Sequence, residues 1–169
     1  MEKYFLEPTQ ESGAALFRRN ISGEVVMLNM LRLKETADYS ATPELAPEKP
    51  ISGREAFQKY IDHTMPFLEE SGGELLLLGN GGQFFIGPED EQWDVIMLVK
   101  QSSLASFMEF ASNAGYLAGI GHRTAAIIDS RLLPIVECKG HNITSDCDNN
   151  RDQIEPPPKF LTGQNERSR

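Results

Sequence analysis

The chain is poor in cysteine, histidine and tryptophan, with two, three and one among 169 residues. Two cysteines, Cys138 and Cys147, make no disulfide framework and fit a reducing compartment. Basic residues are scarce as well. Sixteen lysines and arginines stand against twenty-five acids, for a formal net charge of −9. That argues against a nonspecific nucleic-acid binder, which needs a basic surface to displace counterions. No run of about eighteen uncharged apolar residues occurs, so no membrane-spanning helix is expected. The opening residues Met1 to Pro8 lack the basic-then-apolar layout of a secretion signal, and the expected location is the cytoplasm. What is present is 40% hydrophobic and 24% charged, the mixture of a globular domain with a real core.

Composition divides the chain into three expected regions: an N-terminal helical extension over 1–22, a core domain over 23–138 and a polar, Pro-containing tail over 139–169. The tail carries five basic and five acidic residues, so the net charge belongs to the rest. It holds Pro156-Pro157-Pro158 and few apolar residues, too few to offset the entropy of ordering. In the extension, Pro8 to Asn20 reads as a short helix, with Ala14, Ala15, Leu16 and Phe17 as its apolar surface.

Within the core domain the periodicity alternates between strand and helix. Glu24 to Lys34 is a strand. A proline-bearing loop, Glu35–Pro50, follows, and its length is that of a functional lid. Ser52-Gly53-Arg54-Glu55 is a capping box, after which Phe57, Tyr60, Ile61, Thr64, Phe67 and Leu68 recur at helical spacing. Pro66 is expected to kink that helix near Asp62–His63. Leu75 to Leu78 is a short strand. Gly79-Asn80-Gly81-Gly82 is expected to interrupt it, with Gln83 to Ile86 resuming after a bulge. Trp93 to Lys100 is a third strand. Ser102 or Ser103 caps a helix bearing Leu104, Phe107, Met108 and Ala111. Tyr116 to Ile120 adds a helical turn, and Thr124 to Glu137 is the last strand. The order β-α-β-β-α-β is the ferredoxin-like arrangement, an α+β fold with a four-stranded antiparallel sheet and both helices on one face.

The strands are apolar on both sides. Val25, Met27, Leu31 and Leu33 point one way; Val26, Leu28 and Met30 point the other. A sheet with one wet face should alternate apolar with polar. Two helices cover one face, so the other needs a cover. The expected cover is a second copy, two sheets pairing as a dimeric α/β barrel.

Several features together carry a resemblance. The strand Val26-Met27-Leu28-Asn29-Met30-Leu31-Arg32, the helix with Tyr60, the break Gly72-Gly73, the strand opening at Trp93, the stretch Phe107 to Tyr116 and Arg123 occur in an order that resembles the domain of unknown function 1330 family. The likeness spans roughly residues 23–137. It implies a dimeric α/β barrel, an architecture shared with antibiotic-synthesis monooxygenase-like and stress-responsive barrel proteins, and no established reaction. The N-terminal extension, the Glu35–Pro50 insertion and the tail depart from the shorter members. A heme or flavin role would rest on fold analogy alone, and no cofactor is expected.

Candidate site residues follow from their chemistry. Asn29, an amide inside an apolar strand, either meets a ligand or bonds a neighbouring loop. Arg32 can hold a carboxylate bidentately, from a ligand or from one of the chain's own acids. In a regular strand it faces opposite to Asn29, whereas a bulge or its place near the strand end would bring both to one mouth. His63 and His122 are the candidate acid/base pair at neutral pH, against the plainer reading as surface or satisfied core groups. Tyr60, Trp93, Tyr116 and Arg123 complete a ligand-binding set, with Trp93 and Tyr116 equally readable as core or interface anchors. The histidines lack H-x-x-x-H spacing, and Cys138-x-x-His141 with Cys147 matches no common zinc pattern, so no metal site is expected. The glycine run precedes no helix and no Lys-Ser/Thr pair, which excludes a phosphate loop. Two functional readings stand: a small-molecule binder or cofactor-independent enzyme acting on an oxygenated metabolite in the barrel, or a noncatalytic dimeric, stress-responsive module.

Overall fold

The computed structural model describes residues 3–144. Strands β1 (Val25–Leu33), β2 (Glu74–Gln83), β3 (Gln92–Gln101) and β4 (Ile127–Ile135) form one sheet in the order β2-β3-β1-β4, every neighbour antiparallel. The α-helices are α1 (Gln10–Arg18), α2 (Gly53–Glu70), α3 (Leu104–Ala111), α4 (Ala114–Leu117) and α5 (Ile120–Ala126), with single 3-10 turns at Pro43–Leu45 and Lys139–His141. This is the expected α+β, ferredoxin-like topology. Among the described residues no helix is long and apolar enough to cross a membrane.

The helix boundaries follow from capping chemistry. Ser52 Oγ accepts from the Glu55 backbone N–H while Glu55 reaches back to the Ser52 N–H, closing the capping box. Ser103 caps α3 through the Ser106 N–H, and Thr9 with Ser12 caps α1. α2 stays helical through Pro66 to Glu70. Its inward stripe is Ala56, Phe57, Ile61, Thr64 and Leu68, all buried.

Alternation on the strands sorts the two sheet faces. Val25, Met27 and Leu31 on β1 are buried beneath the helices, in register with Gln101, Val99 and Val95 of β3. One core cluster joins Leu31, Val95 and Ile127 to Phe57, Ile61 and Tyr39; a second joins Val25 and Met27 to Leu104, with Leu16 and Phe107 packed on it.

Two sequence expectations are corrected. The glycine run does not interrupt β2: Gly79 pairs with Ile96 and Gly82 with Trp93, and the register shift lies instead between Leu75 and Leu77. The pairing tolerates glycine because β3 approaches so closely; a Cβ on Gly81 would collide with the Trp93 carbonyl oxygen. The strand ends at Gln83, and Phe84–Ile86 form an exposed tip rather than a resumed strand. Second, β4 begins at Ile127, not Thr124, because Ile120–Ala126 is helical. The apolar run Ala125-Ala126-Ile127 is buried in both conformations and carries no period of its own.

Candidate functional site

Between the helices and the sheet lies a cavity of about 370 Å³. Packed interiors leave few voids larger than a water molecule, so a space of this size stands apart from ordinary core packing. Its floor is the inward row of the sheet: Met27, Asn29 and Leu31 of β1, Met97, Val99 and Gln101 of β3, and Leu132 of β4. Phe57, Tyr60, Ile61, Thr64, Met65 and Leu68 of α2 form its roof, with Phe107, Phe110, Tyr116 and Arg123 closing the side. The walls are mainly apolar with a few polar groups, the composition of a small-molecule pocket.

One side of the cavity is closed by a segment that the sequence pattern did not single out. Leu6, Glu7 and Pro8 line the cavity, ahead of α1. This strap is tied to the edge of β4. The Ser130 N–H donates to the Phe5 carbonyl at 2.8 Å, and the Phe5 N–H donates to Asp129 Oδ1 at 2.7 Å. Arg123 Nη1 donates to the Leu6 carbonyl at 3.2 Å. The Arg131 guanidinium lies over the Phe5 ring at 4.7 Å and over the Trp93 ring at 5.0 Å while donating to Asp129 at 2.7 Å. Burial pushes the Asp129 carboxyl up, but the bonds from Arg131, Phe5 and Ser130 outweigh it and hold it below the usual range.

The polar groups in the cavity divide into paired and orphaned. Tyr60 and Tyr116 share a hydroxyl–hydroxyl hydrogen bond at 3.1 Å. Burial, then the neighbouring Tyr60, pushes the Tyr116 phenol far above the ordinary tyrosine range, so it stays a neutral donor. The Asn29 side-chain amide donates to the Met27 carbonyl of its own strand at 3.1 Å. Gln101 and Thr64 are different. Gln101 is 1% exposed, and neither its amide nitrogen nor its carbonyl oxygen has a partner among the described residues. The Thr64 hydroxyl, buried on α2, is also unpartnered.

Of the eight residues singled out from the sequence, the fold brings four together: Asn29, Tyr60, Tyr116 and Arg123 all line the cavity. Four lie outside its lining. Arg32 is on the opposite sheet face, in register with Asp129, as strand alternation requires. Trp93 is buried, its indole N–H donating to Glu91 Oε1 at 2.9 Å. The His63 ring bonds the Gly115 carbonyl at 2.8 Å and fills the space beside Gly119, where a Cβ would strike it. His63 thereby docks α2 against α4. His122 shares a hydrogen bond of 2.8 Å with the Tyr39 hydroxyl, and burial lowers its pKa, favouring the neutral ring. Tyr39 belongs to the Glu35–Pro50 insertion. That loop packs on α5, through the Asp38 N–H to Ala125 carbonyl bond at 2.9 Å, and contributes nothing to the cavity lining. The cavity is bordered by the strap instead.

Among the described residues no group of three or more metal-ligating side chains converges. Cys147 and Pro156–Pro158 lie outside the described residues.

Comparison with known proteins places this geometry. Two crystal structures of RPA0582, a protein of unknown function from Rhodopseudomonas palustris, match it. The methylated form is 32% identical, with a TM-score of 0.71 over 82% of this chain and 98% of that one. The other is 33% identical, with a TM-score of 0.68 over 81% and 99%. The chain belongs to the RPA0582 family. No family model and no curated protein matches the chain. RPA0582 is described as a protein of unknown function, so the family relation supplies a fold and no reaction.

Proposed function

We propose that this RPA0582 relative binds a small, mainly apolar, oxygenated molecule in the cavity between sheet and helices. The observation that carries this reading is the cavity itself, about 370 Å³ between sheet and helices with mainly apolar walls. Tyr116, held neutral, and Tyr60 offer hydroxyls to an oxygenated group, while Arg123 supplies the cation of the lining. Glu7, Tyr60, Tyr116 and Arg123 are the ionisable residues of that lining. Binding is favoured over acid/base catalysis by His63 and His122, since both rings are engaged in structural contacts outside it. The neutral fluorophore N-phenyl-1-naphthylamine tests the reading. It should bind saturably at one molecule per chain, and Ala111→Trp, which fills the cavity beside Phe110, should abolish binding without unfolding the protein. Absent binding, or binding indifferent to Ala111→Trp, overturns it.

A second observation supports a homodimer. The outer face of the sheet carries Leu28, Met30, Ile96 and Leu98, with Leu77 and Leu133 about half exposed, and neither core cluster includes a side chain from this row. Some of its charges are paired at the margins: Lys100 with Glu24 and Glu74, Arg131 with Asp129. An apolar centre with a polar margin suits a self-complementary, two-fold interface. We place a second copy there, as in the barrel of the domain of unknown function 1330 family, to which the order of features still points.

A further inference from the structure

The α2 lining of the cavity runs from Phe57 to Leu68, eleven helical steps or about 16 Å. Its sheet side crosses all four strands, from Leu75 on β2 to Leu132 on β4. Its sheet floor is Met27, Leu31, Met97, Val99 and Leu132, interrupted by Asn29. These mainly apolar walls suit an aliphatic body.

Gln101 stands at the Leu68 end. A Cβ on Gly73 would touch both the Leu68 side chain and the Gln101 amide nitrogen, which puts the three side by side. Gln101 continues the inward row Val95, Met97, Val99 of β3 and is opposite Val25, one of the most deeply buried residues. A carboxamide has two donor hydrogens and an acceptor oxygen. Here both ends are orphaned, in a setting where an unmade hydrogen bond is costly. Thr64 adds a further orphan in the same cavity lining. In a helix its hydroxyl would ordinarily bond the carbonyl one turn back, and it does not.

Resting on the reading of this cavity as a small-molecule site, we propose that its ligand is an aliphatic molecule ending in an uncharged group that both donates and accepts hydrogen bonds, seated on Gln101. A primary amide or a protonated carboxylic acid matches the carboxamide edge to edge. A carboxylate does not, because no cation lines this end; Arg123 sits at the other end, bonded to the strap. Burying an unpaired charge there would cost more than the chain gains.

Decanamide and 2-undecanone separate the possibilities. They are the same size, but the ketone accepts only, and would leave the Gln101 oxygen unpaired. Affinities for both are measured by displacement of N-phenyl-1-naphthylamine from the full chain and from Gln101→Met. The ratio of decanamide to 2-undecanone affinity should fall about tenfold in the variant, a ratio of ratios from which each probe's hydration cancels. Gln101→Met should also melt at the same temperature or higher, since it removes an unsatisfied buried amide; a Gln101 with a purely structural role would make it melt lower. An unchanged ratio overturns the Gln101 seat while leaving the cavity reading intact. Failure of both compounds and of the fluorophore to bind overturns both. If Gln101→Met does not fold, Gln101→Glu takes its place, with decanamide binding weakened as pH rises and the side chain ionises; binding independent of pH overturns the proposal.

Discussion

Cutting the strap loose at Asp129 is the perturbation whose size the structure defines best. Asp129 is 3% exposed and accepts from the Phe5 N–H, the Ser130 N–H and Arg131 Nη1. Asp129→Ala removes all three bonds, but their losses are unequal. The Ser130 N–H keeps its bond to the Phe5 carbonyl, and Arg131, 42% exposed, regains water. The Phe5 N–H, part-buried on a residue 40% exposed, regains water only in part. Breaking a fully buried pair costs about 3–5 kcal/mol, and a single bond to a charged group about 1.5–3 kcal/mol, so a loss of about 2–3 kcal/mol is expected. At about 2–4 °C per kcal/mol for a chain of this size, the melting temperature should fall by roughly 4–12 °C. The pH dependence follows from the depressed folded pKa. Asp129 contributes its full stability above its unfolded value of about 3.9, and that contribution is lost as pH falls through the folded value. Urea denaturation of wild type and variant should therefore show a gap that is constant from pH 5 to 7 and closes in strong acid. Because Leu6, Glu7 and Pro8 border the cavity, the variant should also release N-phenyl-1-naphthylamine faster. A stability change below about 0.5 kcal/mol, the range of ordinary surface substitutions, would refute the anchoring role.

Other expectations are simpler. Gly81→Ala should destabilise by at least about 1 kcal/mol in urea, since its methyl meets the Trp93 carbonyl on a paired strand. Tyr116→Phe should weaken binding of an oxygenated probe with little loss of stability. In a wild-type alkaline titration at the tyrosinate absorbance, one phenol should resist ionisation past the ordinary value of about 10 until the protein unfolds. The His122 ring should titrate below about 6.5 by NMR and lose that shift in Tyr39→Ala, which exposes it. Sedimentation should give twice the chain mass for wild type and the chain mass for a folded Leu133→Glu, whose charge lies on the outer sheet face; a monomeric wild type would mean that the chain covers this face itself.

The fold was legible because its signals are local and redundant. The Ser52–Glu55 capping box, the helical stripe from Phe57 to Leu68 and the continuous apolar run of β1 each point to one structure. Errors fell where local signals are silent. Glycines suggest a break in β2, yet close approach of β3 makes glycine the fitting residue there. The site was half legible. Tyr60, Tyr116, Asn29 and Arg123 were found as polar groups near apolar runs, and the fold gathers them. His63 and His122 attracted notice by chemistry alone, but glycine-sized gaps and a tyrosine hydroxyl engage them elsewhere. Gln101 went unmarked although its parity on β3 gives it away: it follows Val95, Met97 and Val99 on the inward row. The strap left no periodic signal, since three residues crossing a strand edge are held by backbone bonds.

The proposed ligand sits between helices and sheet rather than on the open outer face. Methyl NMR of labelled protein titrated with decanamide distinguishes the two, because the faces carry different reporters. Shifts are expected at Met27, Leu31, Met97, Val99 and Leu132, the cavity floor, with Leu28, Leu98 and Leu133 unmoved. Shifts confined to Leu28, Leu98 and Leu133, or none at saturating decanamide, would contradict it.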